Sequence, residues 1–111
     1  LVKSSAASDV YKRQLMGRID PNIWVRVKAN LRLKTDKVRV GGMHTDVGDF
    51  GHTTSIFYIN TNDGYTSFEN GDTYKSVENR LITFPSHLRH AGSTPSDSKA
   101  RFVLNLNYFK K

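Results

Sequence analysis

The residues with the most evident chemistry are two histidines and a carboxylate. His44 and Asp46 are two positions apart, and further histidines follow at His87 and His90. Residues i and i+2 of an extended segment point to the same side, so His44 and Asp46 can reach one metal ion. Two imidazoles and one carboxylate on one face suit ferrous iron and leave the opposite positions open. A His-x-Asp pair by itself is more typical of a surface pair, so the hypothesis depends on the rest of the chain.

Only one of the two later histidines can share a face with that pair. His87 and His90 are three positions apart and face opposite sides of an extended segment. Spacing alone leaves open which of them points inward. His52, in the polar loop that follows Asp46, is expected to be a solvated loop histidine.

A third candidate is a cation in an otherwise apolar strand. Arg101 precedes Phe102 and Val103, and an unpaired buried charge is costly, so an inward Arg101 needs an anionic partner. A guanidinium fits a carboxylate in bidentate fashion. The alternatives are an outward Arg101 on an edge strand, or Lys99 as the cation, although the polar loop around Lys99 favours exposure.

The elements that must position these residues are short strands. Alternation of apolar and polar residues predicts strands at 24–34, which we expect to be half-buried, and at 101–109. Gly41-Gly42 is expected to allow close backbone approach just before His44. Further strands are predicted at 38–40, 53–60, 65–69, 72–77, 81–84 and 88–90.

The turns between these strands define the fold class. Asn70-Gly71 is a strong hairpin signal, and Pro85 should end the strand at 81–84 or place it at an edge. No segment has a convincing helical pattern. The predicted class is all-β, a sandwich or jelly roll. Asn105 and Asn107 share the face of Arg101 and would either line a pocket or hydrogen-bond within the barrel.

Composition excludes several classes of protein. A chain of 111 residues that is 37% hydrophobic and 11% aromatic forms one globular domain at most, not a disordered or collagen-like chain. No apolar run is long enough to span a bilayer, so no membrane partner is expected. The absence of cysteine excludes disulfides and fits a reducing, cytoplasmic location. A net charge of +7 permits nucleic acid as a partner, but the scattered basic residues favour a solvated face.

The ordered set of motifs resembles the 2-oxoglutarate and Fe(II)-dependent dioxygenases, most closely their prolyl-hydroxylase-like branch. Phe84-Pro85-Ser86-x-Leu88-x-His90 resembles the strand that delivers the distal histidine, and this resemblance selects His90 rather than His87. Arg101, eleven residues later, matches the basic residue that binds the distal carboxylate of 2-oxoglutarate. Phe57-Tyr58-Ile59-Asn60 resembles the strand whose tyrosine helps to hold that carboxylate. Asp63–Phe68 resembles a Gly-Gly-x-Thr-x-Phe strand, with Asp63 in place of the first glycine.

The resemblance implies a double-stranded β-helix with Fe(II) bound by His44, Asp46 and His90. It implies that Arg101 and Tyr58 anchor 2-oxoglutarate, that dioxygen is the second co-substrate, and that ascorbate is compatible as a reductant. 2-Oxoglutarate would be converted to succinate and CO2 while an unidentified substrate is hydroxylated, with a peptidyl proline or a small molecule favoured.

The resemblance also bears on domain organisation. Residues 1–14 lack useful periodicity and resemble the translation of a transposon-type sequencing adapter, so they are set aside as non-native. Residues 15–111 are expected to be a dioxygenase core truncated before its N-terminal helices. Substrate specificity is expected from the Val47–Thr53 loop, from Trp24 and its neighbours, and from the missing N-terminal part.

Two other functions remain compatible with the predicted strands. A non-catalytic jelly-roll binding or structural domain explains the strands equally well, but not the joint presence of His44, Asp46, His90 and Arg101. Nucleic-acid demethylation by the same chemistry ranks lower, because positions 102–109 lack the second arginine of nucleobase-repair members of the superfamily.

Overall fold

The computed structural model describes residues 17–48 and 50–111, so the adapter-like residues 1–14 lie outside the described part. Residues 17–19 are helical, and the rest of the regular structure consists of antiparallel strands. The strands are β1 Pro21–Leu33, β2 Thr53–Tyr58, β3 Tyr65–Phe68, β4 Thr73–Lys75, β5 Leu81–Pro85, β6 His90–Gly92 and β7 Ala100–Lys110. The predicted all-β class is confirmed. Within the described ranges, no helix has the length and apolarity that crossing a membrane would need.

The strands form two sheets, in the orders β1-β7-β2-β5 and β4-β3-β6. Together they make a double-stranded β-helix, the jelly roll that the motifs implied. The segment before the first loop continues the smaller sheet, since Val40 bridges to Ser93 and His44 bridges to His90. The strand predicted at 38–40 is therefore only an isolated bridge, because the glycines that follow it add no side-chain packing to the ladder.

The local turn signals were correct. Asn70-Gly71 joins β3 to β4, with Gly71 at a φ of 95°, a left-handed conformation that glycine adopts without strain. Pro85 is the last residue of β5, an edge strand of the larger sheet. A turn runs from Pro85 to Leu88 and is closed by a backbone hydrogen bond of 3.1 Å. Strand β6 therefore begins at His90, two residues later than predicted.

Apolar side chains from both sheets fill one part of the interior. Ile56, Tyr58, Phe84 and Val103 of the larger sheet pack with Phe68 of the smaller sheet. The Phe68 ring is edge-on to the Phe84 ring, with centroids 4.8 Å apart. Each buried side chain of this kind stabilises the fold by roughly 1.5–3 kcal/mol. The remaining interior is polar and contains the candidate site.

The polar face of strand β1, and not its apolar face, is turned inward. Its apolar positions Val27, Leu31 and Leu33 lie outside and are 55%, 53% and 69% exposed. Its polar face lines the interior cavity, because Arg32 pairs directly with the inward-facing Arg101 and direct cross-strand partners share a face. The inward positions of β1 are Arg26, Lys28, Asn30 and Arg32.

A register shift near the start of β1 decides where its tryptophan lies. The ladder with β7 is irregular between Trp24 and Arg26. Trp24 packs edge-on against Tyr108, with ring centroids 5.7 Å apart, and it is not among the residues that line the cavity. Its neighbour Arg26 does line the cavity, and the expectation that this part of the chain sets substrate specificity stays a prediction.

Candidate metal centre

His44, Asp46 and His90 converge in the polar part of the interior. Their ligand atoms all lie within 4.8 Å of one another. The Nε2 atom of His44 is 3.2 Å from Oδ1 of Asp46, and Nε2 of His90 is 3.2 Å from Oδ2. His90 and Asp46 are largely covered, whereas the side chain of His44 is 47% exposed. The three side chains can therefore reach one cation, with access from the side of His44.

Backbone pairing brings the two histidines together. His44 and His90 form an antiparallel bridge in which each backbone N–H donates to the other's carbonyl at 2.9 Å. Directly opposed residues project from the same face of a sheet, and the two rings lie with centroids 4.9 Å apart. Asp46 follows two positions after His44. Pairing between distant segments thus assembles the site.

Backbone carbonyls orient both imidazole rings. Nδ1 of His44 is 2.8 Å from the Gly42 carbonyl, and Nδ1 of His90 is 3.2 Å from the Leu88 carbonyl. A carbonyl oxygen only accepts, so Nδ1 carries the proton and Nε2 faces Asp46 with its lone pair. A lone pair beside a carboxylate is repulsive unless a cation lies between them. The arrangement therefore fits a metal ion and, in its absence, a proton.

The carboxylate is held by hydrogen bonds through Asn105 and Asn107, the two residues expected either to line a pocket or to hydrogen-bond within the barrel. Asn105 donates from Nδ2 to Oδ2 of Asp46 at 2.8 Å. Asn107 donates to the side-chain oxygen of Asn105 at 2.6 Å, and Thr54 donates to that of Asn107 at 2.8 Å. Because partners behind a metal ligand fix its orientation, Asn105 is a positioning residue for Asp46. Its only sequence signal was an inward position in β7.

The pKa values of the pair agree with this geometry. Burial raises the pKa of Asp46, but hydrogen bonds from His90 and Asn105 and the nearby imidazole charges outweigh it and lower the pKa to about 2. Burial lowers the pKa of His90, yet the hydrogen bond and charge of Asp46 outweigh it, so the pKa lies above 6.5. The site therefore favours a negative carboxylate facing a cation.

Arg101 is buried beside the same cavity with only neutral partners. It is 4% exposed, and burial lowers the pKa of its guanidinium. Nε donates to Ser76 Oγ at 2.7 Å and Nη2 donates to Thr66 Oγ1 at 3.0 Å. Nη1 lies 3.5 Å from the Ser93 carbonyl. In the described part of the chain, no carboxylate forms an ion pair with Arg101, so an anionic ligand would complete its bonding.

Tyr58 meets Arg101 at a shared hydroxyl. The Tyr58 hydroxyl donates to Thr66 Oγ1 at 2.7 Å, and the guanidinium carbon of Arg101 lies 5.6 Å from the Tyr58 ring centroid. Burial raises the pKa of Tyr58, which keeps the hydroxyl protonated. Thr66, Ser76 and Ser93 are thus the residues that hold this cation. Thr66 is the threonine of the Gly-Gly-x-Thr-x-Phe pattern, whereas no charge or motif in the sequence identified Ser76 or Ser93.

The turn before β3 makes room for Arg101. A Cβ atom added to Gly64 would lie 2.7 Å from Cδ of Arg101. Asp63, which departs from the Gly-Gly pattern of the resemblance, accepts from the backbone N–H of Ser96 at 2.7 Å. Hydrogen bonds from Ser96 lower the pKa of Asp63 to about 2. The aspartate therefore ties the turn to the loop after β6, while the glycine keeps the space that Arg101 needs.

The site opens into a cavity of about 320 Å³. Its lining includes His44, Asp46, His90, Arg101 and Asn105, together with the inward face of β1. The Val47–Thr53 loop, expected to set specificity, is not among the described lining residues. A larger cleft of about 690 Å³ lies elsewhere, between Phe68–Tyr74 and Ile82–Arg89. It contains none of the three converging residues.

The remaining histidines and Lys99 lie apart from the site. His87 is exposed in the larger cleft, and Lys99 is exposed in its loop, as expected. His52 was predicted to be solvated, but it is only 3% exposed and lies near the rings of Phe50 and Phe109. Its carbonyl accepts a hydrogen bond from the Ser86 N–H at 3.0 Å. His52 is therefore held next to the first residue of β2, where its side chain is buried.

Comparison with known proteins supports the fold. No protein-family model matches the chain, and no curated protein matches it. A cupin protein from Bacteroides fragilis has a TM-score of 0.54 at 9% identity over 75% of this chain and 64% of its own. An HppE structure with Fe(II) and substrate has 0.53 at 12% identity, over 79% and 52%. A prolyl-4-hydroxylase from Pseudomonas putida has 0.50 at 14% identity, over 96% and 64%.

These structures define the class of fold. The chain is similar to cupin and jelly-roll proteins, some of which are iron-containing or hydroxylating enzymes by name. It spans only 64% of the length of the Bacteroides fragilis cupin. Identities this low establish the architecture alone. The chain is therefore a double-stranded β-helix that carries a His-Asp-His cluster suited to a metal ion.

Proposed function

We propose that the protein is an Fe(II)- and 2-oxoglutarate-dependent dioxygenase that hydroxylates a peptidyl prolyl residue or a small molecule. The observation that carries the proposal is one cavity with two features. Two Nε2 atoms and a carboxylate converge there, and the buried Arg101 has only neutral partners beside them. Two imidazoles and a carboxylate are the donor set that suits non-haem ferrous iron.

In this proposal His44, Asp46 and His90 hold Fe(II). With 2-oxoglutarate and dioxygen bound, the metal supplies oxidative decarboxylation to succinate and CO2, coupled to hydroxylation of the substrate. The chain supplies orientation, because the Gly42 and Leu88 carbonyls fix the rings. Asn105 keeps Asp46 turned toward both histidines.

Arg101 and Tyr58 serve the co-substrate. A guanidinium offers paired N–H donors to a carboxylate. Of the hydrogen bonds of Arg101, that of Nη1 is the weakest, at 3.5 Å from the Ser93 carbonyl. Tyr58 remains a neutral donor within reach of the same hydroxyl cluster. We therefore assign the distal carboxylate of 2-oxoglutarate to this pair. Ascorbate is compatible as an accessory reductant.

Anaerobic titration with Fe(II) and 2-oxoglutarate tests the proposal. Chelation of ferrous iron by a 2-oxo acid gives a weak visible charge-transfer band, which we expect in the wild-type protein. His90→Ala should abolish iron retention, whereas His87→Ala, a matched change in the larger cleft, should leave it intact. Arg101→Ala should weaken 2-oxoglutarate at least tenfold without loss of iron, since a charge-assisted contact is lost.

Two results would contradict the proposal. If His87→Ala loses iron and His90→Ala retains it, the ligand assignment is wrong. A folded wild-type protein, judged by its circular dichroism, that shows no band with both ligands present would favour a non-catalytic jelly-roll binding domain instead.

A further inference from the structure

A row of basic side chains on β1 faces the candidate metal centre. Arg26, Lys28 and Arg32 occupy alternate positions of β1 and all line the 320 Å³ cavity. We call these three residues the cationic row. Asn30 continues the same face. The proposed iron and 2-oxoglutarate sites use none of the three, so the row needs another explanation.

The row lacks acidic partners. Among residues 17–48 and 50–111, no carboxylate forms an ion pair with Arg26, Lys28 or Arg32. The Nε atom of Arg26 is buried without a hydrogen-bond partner. A buried donor left unpaired is costly, so the native ligand should supply an acceptor there.

The charge of the cavity is one-sided. Its described lining holds four cationic side chains, the cationic row and Arg101, against a single carboxylate, Asp46. Asp46 is already engaged by His44, His90 and Asn105. Fe(II) and 2-oxoglutarate carry opposite charges that cancel, so their binding leaves this imbalance in place. The cavity therefore still favours an additional anion.

Strand register places the row along the whole site. Lys28 pairs with Asn105, whose amide holds Asp46, and Arg32 pairs with Arg101. The row therefore runs from the Asp46 end of the cavity to the Arg101 end. Arg26 and Lys28 lie at the Asp46 end, where a substrate must approach. Arg32 lies at the end assigned to 2-oxoglutarate.

A basic strand face that only aids solubility would point outward. In β1 the charged residues line the cavity, whereas Val27 is exposed and is not part of the lining. Like charges gathered on one cavity wall repel one another, and an anion bound among them relieves that repulsion. This placement argues that the cationic row is a binding feature.

We propose that the primary substrate carries an oxyanion group, a phosphate or a carboxylate, which Arg26 and Lys28 bind beside the metal centre. This inference rests on the proposed dioxygenase function and names its substrate class. The anion would hold the rest of a small or peptidyl substrate over the open side of the metal. A substrate without an oxygen acceptor at this place would leave Arg26 Nε unpaired.

Inorganic phosphate tests the row without knowledge of the substrate. With 2-oxoglutarate saturating and Mn(II) in place of Fe(II), phosphate bound beside the metal should show enhanced 31P relaxation. The double variant Arg26→Gln/Lys28→Gln should bind phosphate at least tenfold more weakly. Lys37→Gln, which removes one positive charge from an exposed bend outside the cavity, should leave binding unchanged.

A metal-independent readout separates the two proposals. Phosphate should also shift the 1H–15N resonances of the Arg26 and Lys28 amides when no metal is added. If Mn(II) or 2-oxoglutarate fails to bind but these shifts appear, the dioxygenase proposal fails while the anion site stands. If both ligands bind and phosphate shifts neither amide, or Lys37→Gln weakens phosphate as much as the double variant does, the substrate proposal is overturned. A short oligothymidylate that displaces phosphate from the row would overturn the assignment to a small or peptidyl substrate.

Discussion

His44 and His90 owe their orientation to backbone carbonyls. Hydrogen bonds to Gly42 and Leu88 hold each Nδ1, so both Nε2 atoms are aimed at Asp46 before any metal binds. Pre-orientation of ligands lowers the entropic cost of binding. The same geometry makes the metal-free site a proton site, because only a cation removes the repulsion between the imidazole lone pairs and the carboxylate.

Replacing Asp46 should therefore change the titration of His90. In the metal-free protein the pKa of His90 lies above 6.5, because Asp46 outweighs the effect of burial. Asp46→Asn removes the main contribution that opposes burial, so the pKa should fall from this raised value. NMR titration of the His90 ring protons in the presence of a chelator measures this change. An unchanged pKa would show that Asp46 does not govern the protonation of His90.

The same pair gives a signed dependence of stability on pH. His90 has a raised pKa, so its contribution is fully present below about pH 6.5 and is lost as the pH rises through its folded-state value. Asp46 has a lowered pKa, so its contribution is fully present above about pH 4 and is lost as the pH falls toward 2. The pair should therefore stabilise the metal-free protein most between about pH 4 and pH 6.5, which gives the free energy of unfolding a maximum in that range. In Asp46→Asn this maximum should be absent.

Strand β7 is the element that supplies most of both the site and the packing. Its inward face carries Arg101, Asn105 and Asn107, and its outward face carries Leu106, which is 2% exposed. It pairs with β1 on one side and β2 on the other. The strand therefore contributes residues both to the cavity and to the apolar packing on the outer face of the larger sheet.

The apolar residues on the outer faces of β7 and β1 differ in burial, and this difference can be measured as a change in the free energy of unfolding. Leu106→Ala removes a buried side chain and should cost about 2–5 kcal/mol of unfolding free energy. Leu31→Ala removes one that is 53% exposed, and should cost about 1 kcal/mol or less, because little apolar surface returns to water. Urea unfolding of both variants compares them directly. Equal losses would mean that Leu31 is covered in solution.

For the molecule as a whole, the site joins parts of the chain that are distant in sequence. His44 and Asp46 belong to the segment after β1, whereas His90 begins β6 and Asn105 lies in β7. A ligand that binds only this assembled state stabilises the entire fold by mass action.

Metal ions should accordingly raise the unfolding free energy of the whole domain. Mn(II) at a hundred times its Kd should add about 2.7 kcal/mol, a value that follows from single-site linkage. Thermal unfolding with and without Mn(II) measures the effect, with His87→Ala as the matched control that keeps it. His90→Ala should lose it. An equal shift in His90→Ala would place the metal elsewhere.

Local patterns were sufficient for most of the strands and for the pair His44 and Asp46. Alternation over 24–34 and 101–109, the Asn70-Gly71 turn and the His44-x-Asp46 spacing depend only on neighbouring residues, and the structure retains each of them. The class of fold followed from these short-range signals. The choice of His90 over His87 needed a family resemblance, because spacing only says that the two face opposite ways.

Long-range pairing determined the rest. Thr66, Ser76 and Asn105 are neutral residues without a chemical signal of their own, and they matter because sheet register brings them to Arg101 and Asp46. Alternation in β1 predicts two faces but does not say which faces inward, since that depends on the strand beside it. Pairing with β7 turned the basic face of β1 toward the metal centre.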